Sequence, residues 1–559
     1  VLRGFMPPRK SFKELAKNNI ATIVDYAVDN LHMAEADTVY ATNALLDLFG
    51  LTEPSDAPVG KYDFYETLTA LSAYAVRKGL CSESDRLLFE TRIMGLLTPP
   101  PSKVIETFDN IAAQSGSMKA AEWLGDLSER SAYIRRPDID RNIQWEYDNP
   151  RGKIVVTINL AKPEKTPEEV RRAKEAKTGY PKCMLCAENV GFAGNAAHPA
   201  RQTLRTIPFE LDGEEWFMQF SPYVYFEQHV IAISKEHRPM NVNAATFRRM
   251  LDFVDLFPGY FIGSNAALPI VGGSILAHDH YQGGKKVLPI FASGARKRYL
   301  MKDFPDVNVS IAEWYNSVVR LESKNRARLI EAAEKFRSAW ESYSDEEANV
   351  ICRTENADGA FTPHNAITPT ACFNDDGEYQ INLILRNNRT DEKHPYGIFH
   401  PAEELHNIKQ EAIGIIEVQG LFILPGRLQR ECEQIKDLLT GKTPLDFKAI
   451  AAEDHPLNKH LGMIAQLVAD GGTEMSETKA ERVITDYINT SFPQFLYTPA
   501  LFSTSAHAHP RFYTSFNILF SFSFIPSPLH PFLPPAVFSF LLHPSPPLPP
   551  PPPGLFPSP

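Results

Sequence analysis

The chain contains 559 residues, a length that suggests roughly two to four domains. Hydrophobic residues make up 43% and charged residues 22% of it, values ordinary for a globular protein. Its formal net charge of −11 argues against general nucleic-acid binding, which calls for a basic surface, but leaves room for a local basic pocket. Six cysteines, scattered except for Cys183 and Cys186, are typical of a reducing compartment. Because Val1–Lys10 lacks the apolar core of a secretory signal, we expect a cytoplasmic location.

Residues 12–150 carry mostly helical patterns. Apolar residues in 20–31 recur at i, i+3 and i+4, the spacing of one buried helix face. Two further helices are predicted over Asp37–Phe49 and Phe64–Arg77, with glycines close after their ends. This region holds no cluster of His, Cys and Asp residues, so we interpret it as a helical scaffold or lid.

From residue 153 the pattern changes to strands separated by helices. Ile154–Ile158 is β-branched and strand-like, and Val230–Ile233 has the character of a short buried strand. Helices are predicted over Thr166–Lys177 and Ala244–Phe257. Alternation of this kind indicates an α+β fold with a largely antiparallel sheet.

The second half of the chain is predicted to contain a helical stretch over Val307–Ser342 and a half-buried strand over Gln380–Leu385. Beyond Ser491 the composition changes, because Arg511 is the only charged residue before the C-terminus. The apolar piece Phe516–Ile525 is too short to span a bilayer, which needs about 20 residues. This Pro-rich tail could be a polyproline II ligand, but we favour an unfolded, non-native segment.

The stretch Gly272–Gly284 has the strongest chemical signal. In an extended segment, alternate side chains point the same way, so His278, His280 and Gln282 would share one face. A neutral imidazole can bind a metal or attack an electrophile. Two surface histidines at a strand end are the plain alternative, and the flanking glycine pairs, Gln282 and an upstream Cys-x-x-Cys favour a site.

Cys183 and Cys186 can place two thiolates on one tetrahedral zinc. His278 is the natural fourth ligand; for the third we prefer His237, which follows a strand end, over His229 at the start of that strand. A redox pair is the other interpretation of Cys-x-x-Cys, but its usual strand-then-helix setting is absent here. We expect a structural metal that fixes His278 and thereby aims its neighbour.

His280 is then free to act as a nucleophile. Histidine attacks phosphorus to give a reactive phosphoramidate, which passes the group on in a ping-pong reaction. A third histidine two residues further on could protonate a leaving group, but Gln282 cannot titrate. An amide at this position favours holding a nucleotidyl-histidine for a second substrate over rapid hydrolysis.

These residues carry a resemblance to a known family. The chain resembles, from about residue 20 to about residue 485, the class II UDP-glucose–hexose-1-phosphate uridylyltransferases, also called galactose-1-phosphate uridylyltransferases. The motifs that carry the resemblance are Tyr180–Ala187 (YPKCMLCA), His198–Gln202 (HPARQ), Phe220–His229 (FSPYVYFEQH), Phe257–Gly284 and Ile413–Leu428.

The resemblance implies two histidine-triad-like halves with antiparallel sheets flanked by helices, preceded by a helical N-terminal region, in a homodimer. We therefore expect a helical region over 1–150, a first half over 151–300 with the zinc and nucleophile motifs, and a second half over 301–490. The Pro-rich tail, 491–559, has no counterpart in the family.

The resemblance also implies residue roles. His280 resembles the uridylylated nucleophile, and Gln282 resembles the glutamine that stabilises this intermediate. Four residues resemble zinc ligands: His278, Cys183, Cys186 and His237. Asp279 stands where class I enzymes have a proline. His394 and His400 are not spaced as a second H-x-H, so we predict no second metal site.

Candidate substrate contacts are less specific. Asn265 and Ser274 resemble phosphate- and substrate-contacting residues of the family. Arg205, Arg386 and Arg389 are candidates because a guanidinium group matches phosphate geometry, although ordinary surface salt bridges explain them equally well.

The implied activity is exchange of UMP between UDP-glucose and galactose 1-phosphate, with no nucleic-acid partner and no membrane association. One alternative is a nucleotide phosphorylase or hydrolase of the same superfamily. Another is a zinc-knuckle binding module that uses its Pro-rich tail as a ligand.

Overall fold

The computed structural model describes residues 11–55, 63–149, 151–161, 179–195, 197–273, 275–497 and 522–524. The predicted helix Thr166–Lys177, Ser274 and most of the Pro-rich tail lie outside the described residues. Within the described part of the chain, no helix has both the length and the apolar character needed to cross a membrane.

The N-terminal region is helical, as predicted. Its helices are Phe12–Leu31 (α1), Thr38–Phe49 (α2), Phe64–Arg77 (α3), Arg86–Leu97 (α4), Pro101–Ser115 (α5), Ser117–Arg130 (α6) and Arg136–Ile139 (α7). Ser11 caps α1 by accepting a hydrogen bond from the Glu14 N–H at 3.1 Å. Gly50 ends α2 in the left-handed region with φ 62°, which favours glycine. The predicted buried face of α1 is confirmed, since Ile20, Ile23 and Leu31 are almost fully buried.

Residues 143–149, which the helical prediction included, form a strand instead. Strand β1 (Ile143–Asn149) pairs antiparallel with β2 (Gly152–Asn159), and β15 (Leu421–Pro425) adds to β2 in parallel. Half-buried Trp145 and Tyr147 alternate with exposed neighbours, which is the two-residue periodicity of side chains along a strand. The predicted boundary near residue 150 falls between these paired strands.

One large sheet contains two halves of the same topology. Its strands are Ile207–Leu211 (β3), Glu214–Phe220 (β4), Val230–Ser234 (β5), Tyr260–Gly263 (β6), His280–Lys285 (β7), Ala295–Met301 (β8), Phe304–Ala312 (β9), Val318–Ser323 (β10), Asn365–Phe373 (β13), Tyr379–Asn387 (β14) and Phe522–Phe524 (β16). The spatial order is β16-β8-β9-β10-β14-β13-β6-β7-β5-β4-β3. Neighbours pair antiparallel throughout, which confirms the α+β prediction.

The two halves meet where β6 pairs with β13. In the first half a helix, α8 (Ala244–Leu256), joins β5 to β6; in the second half a helix, α9 (Arg326–Glu341), lies between β10 and β13. Among the elements of this sheet, each half therefore has three strands, a helix and two strands in that order; two further short strands of the second half, Arg353–Glu355 and Phe361–Pro363, lie in a separate sheet. Strand β7 of the first half corresponds in this order to β14 of the second.

The predicted helical stretch over Val307–Ser342 is wrong in its first part. Strand β9 continues to Ala312, Val318–Ser323 forms β10, and α9 begins only at Arg326 after the Asn325 cap. Val307, Val309 and Ile311 are buried and alternate along β9, a strand pattern that the sequence prediction did not recognise.

The remaining elements are Arg353–Glu355 (β11), Phe361–Pro363 (β12), Arg427–Leu439 (α10), Phe447–Ile450 (α11), Leu461–Gly471 (α12) and Glu477–Tyr497 (α13). Strands β11 and β12 form a separate, exposed two-stranded sheet, and two larger cores hold the other elements together. One core joins the N-terminal helices, α8 and α9 to one face of the large sheet. The other joins the β1–β2–β15 sheet to α10, α12 and α13. Tyr281 of β7 faces the first core and stacks on Trp216 with ring centroids 4.8 Å apart, so its neighbours His280 and Gln282 occupy the opposite face.

Candidate active site

Four side chains that are distant in sequence form one metal-ligand cluster. One potential ligand atom from each of Cys183, Cys186, His237 and His278 lies within 4.8 Å of all the others. The two sulfurs are 3.4 Å apart, and the nearest sulfur–nitrogen distances are 3.0 Å and 3.3 Å. Around a tetrahedral zinc, with bonds of about 2.3 Å to sulfur and about 2.0 Å to nitrogen, ligand atoms lie roughly 3.3–3.8 Å apart. The cluster can therefore hold a four-coordinate metal.

The surrounding backbone shapes this cluster. The Asn189 side chain donates to the carbonyl oxygens of Cys183 at 2.8 Å and Cys186 at 2.9 Å, which holds the cysteine turn closed. Nε2 of His278 donates to the Ser234 carbonyl at 2.8 Å. That bond leaves Nδ1 as the ligand atom and fixes the ring, as a partner of a metal-bound histidine does. His229, the second choice for the third ligand, lies outside the cluster.

His280 opens strand β7 directly beside this cluster. Its side chain is buried, and Nδ1 donates to the His278 carbonyl at 2.8 Å. Burial lowers the pKa of His280 to about 4, because a charged ring loses its hydration there. The imidazole is therefore neutral near pH 7, with its free lone pair on Nε2, which is the form that attacks phosphorus.

Gln282 lies two residues further along the same face, as predicted. It pairs with Ile231 on β5 and with Gly263 on β6. Its side-chain Oε1 is 3.1 Å from Nε2 of His229. A Cβ on Gly263 would lie 2.6 Å from Cδ1 of Ile415, so this glycine allows another loop to approach the glutamine closely.

Asn265 joins that loop to the glycine-rich motif. Its Oδ1 accepts the Ile415 N–H at 3.0 Å. A Cβ on Gly273 would lie 2.5 Å from Nδ2 of Asn265, so the asparagine amide is packed against the backbone just before Ser274. Ser274 itself lies outside the described residues.

Arg386 approaches the same loop from the end of β14. Its guanidinium is buried and donates to the Ile413 carbonyl at 2.7 Å, while Nε has no hydrogen-bond partner in the described part of the chain. Burial lowers the pKa of Arg386 to about 10, opposed by the charge of Glu417. Lys409 pairs with Glu417 at 3.2 Å. Sequence reasoning did not single out Glu417 or Lys409. The available signal was a charged residue, Glu417, within the very apolar stretch Ile413–Leu424.

The other two candidate arginines have different surroundings. Arg205 donates to the carbonyl oxygens of four residues: Pro99, Gln202, Leu204 and Thr98. Arg389 donates to Asn349. These bonds join each guanidinium to the protein itself, and both residues stay predicted phosphate contacts.

Asp279 has a structural explanation that the sequence did not supply. It is buried, and its carboxylate lies 3.5 Å from Arg238 and 3.8 Å from Arg249. Its N–H donates to the Arg238 carbonyl at 2.7 Å, and its own carbonyl accepts the Ser234 N–H at 3.0 Å. Burial raises the pKa of Asp279 and both arginines oppose this rise. The residue thus anchors the turn between the two histidines.

Comparison with known protein families finds two domain models that match this chain. The model of the galactose-1-phosphate uridyl transferase N-terminal domain matches residues 32–239, and that of the C-terminal domain matches residues 253–454. A galactose-1-phosphate uridylyltransferase from Caldanaerobacter subterraneus is 45% identical over 490 residues, which cover 87% of this chain and 94% of that protein. The proteins of the same name from Fusobacterium nucleatum and Bacillus subtilis are 44% and 38% identical, covering 79% and 88% of this chain and 86% and 96% of theirs.

The α+β fold and these relatives together define a nucleotidyltransferase. The chain belongs to the galactose-1-phosphate uridyl transferase family. Among solved structures, yeast Ap4A phosphorylase Apa2 aligns with 59% of this chain and 89% of its own, at 10% identity and a TM-score of 0.28, a score too low to support any conclusion.

Proposed function

We propose that this chain transfers UMP from UDP-glucose to galactose 1-phosphate through a uridylyl group carried on His280. The observation that carries the proposal is a buried, neutral His280 with Nδ1 bonded to a carbonyl and Nε2 free, two residues from the amide of Gln282. The relatives' name, galactose-1-phosphate uridylyltransferase, supplies galactose 1-phosphate and the uridylyl group, and the family resemblance supplies UDP-glucose as the donor.

In the first half-reaction, Nε2 of His280 attacks the α-phosphorus of UDP-glucose. A phosphorus–nitrogen bond forms, the bond to the bridging oxygen breaks, and glucose 1-phosphate leaves with the electron pair. The ring becomes positively charged, and its Nδ1–H donates to the His278 carbonyl, which stabilises that charge. Because the leaving group is a phosphate that is anionic near pH 7, no general acid is required, and an amide at Gln282 suffices.

In the second half-reaction, a phosphate oxygen of galactose 1-phosphate attacks the same phosphorus. The phosphorus–nitrogen bond breaks, its electron pair returns to Nε2, and UDP-galactose leaves. The Gln282 amide, as a hydrogen-bond donor, stabilises the phosphoryl oxygens of the intermediate.

The metal proposed for the cluster is zinc, held by four residues: Cys183, Cys186, His237 and His278. It would supply rigidity rather than reaction chemistry. Five residues stay predicted substrate contacts: Asn265, Ser274, Arg205, Arg386 and Arg389. Of these, Asn265 and Arg386 bond the loop that contains Ile413 and Ile415. A cytoplasmic homodimer without a nucleic-acid partner stays a prediction, which native mass and cell fractionation would check.

Intact-mass spectrometry after incubation with UDP-glucose tests the proposal. We expect a gain of one uridylyl group, mapped to His280 and removed by galactose 1-phosphate with formation of UDP-galactose. His280→Ala should abolish both the adduct and the exchange, whereas His394→Ala, at an exposed histidine, should retain both. Exchange by His280→Ala would refute the proposal, and UMP release faster than exchange would favour a hydrolase.

A further inference from the structure

His229 contacts the proposed catalytic glutamine although the metal cluster does not use it. It precedes strand β5 and is 1% exposed. Its Nε2 lies 3.1 Å from Oε1 of Gln282, while its Nδ1 has no hydrogen-bond partner in the described part of the chain. Two arrangements could produce this contact: the ring donates to the glutamine oxygen, or the flipped amide donates to the ring.

The unpartnered Nδ1 decides between these arrangements. If Nε2 accepted from Gln282, Nδ1 of the neutral ring would carry a buried N–H without an acceptor, and orphaned donors of this kind are rarer than under-used acceptors. If Nε2 carries the proton instead, it donates to Oε1, and only a lone pair on Nδ1 is left unused. The second tautomer fixes the glutamine oxygen toward His229.

The strand register then sets the direction of the amide nitrogen. On the β5–β7 pair, Ile231 lies opposite Gln282 and Ile233 lies opposite His280. His229 is therefore on the side of Gln282 that is remote from His280. With Oε1 held on that side, the NH2 group is turned away from His229, toward the side where His280 lies.

Aromatic packing holds the His229 ring in place. The ring centroid lies 4.4 Å from that of Phe226 and 5.6 Å from that of Tyr225. Phe226 in turn lies against Gly284, where a Cβ would be 2.9 Å from Cε2 of the phenylalanine. Burial lowers the pKa of His229 to about 4, so the ring is neutral and offers one donor.

We propose that His229 is a positioning residue that holds the Gln282 amide with its NH2 group toward the phosphoryl group on His280. A flipped amide would present its carbonyl oxygen to an anionic phosphoryl group, which is repulsive. This role rests on the proposed function and adds to it a residue that selects the productive amide orientation.

A double-mutant cycle tests the role. His229→Met removes the donor at similar volume, His229→Gln restores a donor, and Gln282→Met removes the amide. We expect His229→Met to slow single-turnover uridylylation by about tenfold or more, with a smaller change in KM than in kcat, and His229→Gln to recover much of the rate. In the Gln282→Met background, His229→Met should slow the reaction little further, because the hydrogen bond between the two side chains is already absent.

If His229 contributed only to the stability of the fold, its variants would give a different result. His460→Gln, at another buried histidine bonded through Nε2, is the matched control and should lower stability without slowing uridylylation. Rate losses that multiply in the double variant, or normal rates in His229→Met, would overturn the positioning role. Full activity of Gln282→Met would overturn it as well, whereas exchange by His280→Ala would overturn the proposed function itself.

Discussion

The carbonyl oxygen of His278 accepts the Nδ1–H of His280 at 2.8 Å. The residue whose ring belongs to the metal-ligand cluster thus orients the neighbouring imidazole through its backbone. Under the proposed function, this single hydrogen bond transmits the rigidity of the cluster to the reacting ring, and the cluster itself takes no part in the transfer.

Loss of the cluster should therefore slow the reaction of His280. We expect Cys186→Ala to lower the zinc content and to slow uridylylation by about tenfold or more, as loss of supporting groups around a site does. Metal analysis and intact mass of the same samples measure the two effects. Cys81→Ser, at a half-buried cysteine outside the cluster, should change neither. Normal uridylylation in a metal-free Cys186→Ala protein would separate the cluster from the chemistry.

A second prediction concerns acid stability. Glu431 is buried, and its carboxylate pairs with three residues: His460 at 3.0 Å, Arg427 at 2.7 Å and Lys459 at 2.7 Å. Burial would raise the pKa of Glu431, but these partners outweigh it and lower the pKa to about 2, from an ordinary value of 4.5. Since the folded-state pKa is the lower one, this stabilisation is complete above pH 4.5 and is lost as the pH falls toward 2.

Glu431→Gln should accordingly lower the free energy of unfolding by about 2–3 kcal/mol at pH 7. The difference from the unsubstituted chain should shrink between pH 4.5 and pH 2, as urea denaturation at several pH values would measure. Glu433→Gln, which removes an exposed carboxylate partner of Lys436 while Glu481 still pairs with that lysine, should change stability by less than about 1 kcal/mol. A pH-independent effect of Glu431→Gln would contradict this explanation.

The third prediction uses the contact between Gly273 and Asn265. Gly273→Ala would place a Cβ 2.5 Å from Nδ2 of Asn265, so the amide must move and strain its bond to the Ile415 N–H. We expect kcat/KM to fall by about tenfold or more, because small displacements of positioning groups are costly.

Gly294→Ala is the control for this substitution, since a Cβ there meets nothing within 4 Å. Steady-state kinetics of both variants, with thermal unfolding to check the fold, measures the difference. Equal activity of the two variants would show that the position of Asn265 does not matter for the reaction.

The local features of this chain were predictable, and the long-range ones were not. The Cys183–Cys186 turn and the spacing of His280 and Gln282 are short patterns whose chemistry follows from neighbouring residues. The contact of His229 with Gln282 depends on the register of β5 against β7, which a single sequence does not reveal. The four backbone carbonyls around the Arg205 guanidinium are likewise long-range or loop contacts that the sequence does not reveal.

The prediction of secondary structure failed where a helical and a strand periodicity both fit the sequence. The residues before α9 include charged groups that suit a helix surface, and only the alternation of Val307, Val309 and Ile311 indicates β9. The duplicated strand order of the sheet is likewise absent from any short motif, because it arises from pairings between distant segments.

The repeated strand order has a consequence for the stoichiometry of the proposed reaction. Gly263 of β6 pairs with Gln282 on one side and with Thr370 of β13 on the other, so the glutamine lies one strand from the seam. The corresponding strand of the second half, β14, contains no histidine. Under the proposed function, the transfer therefore uses one half of the repeated strand order, and each chain would carry a single uridylyl group.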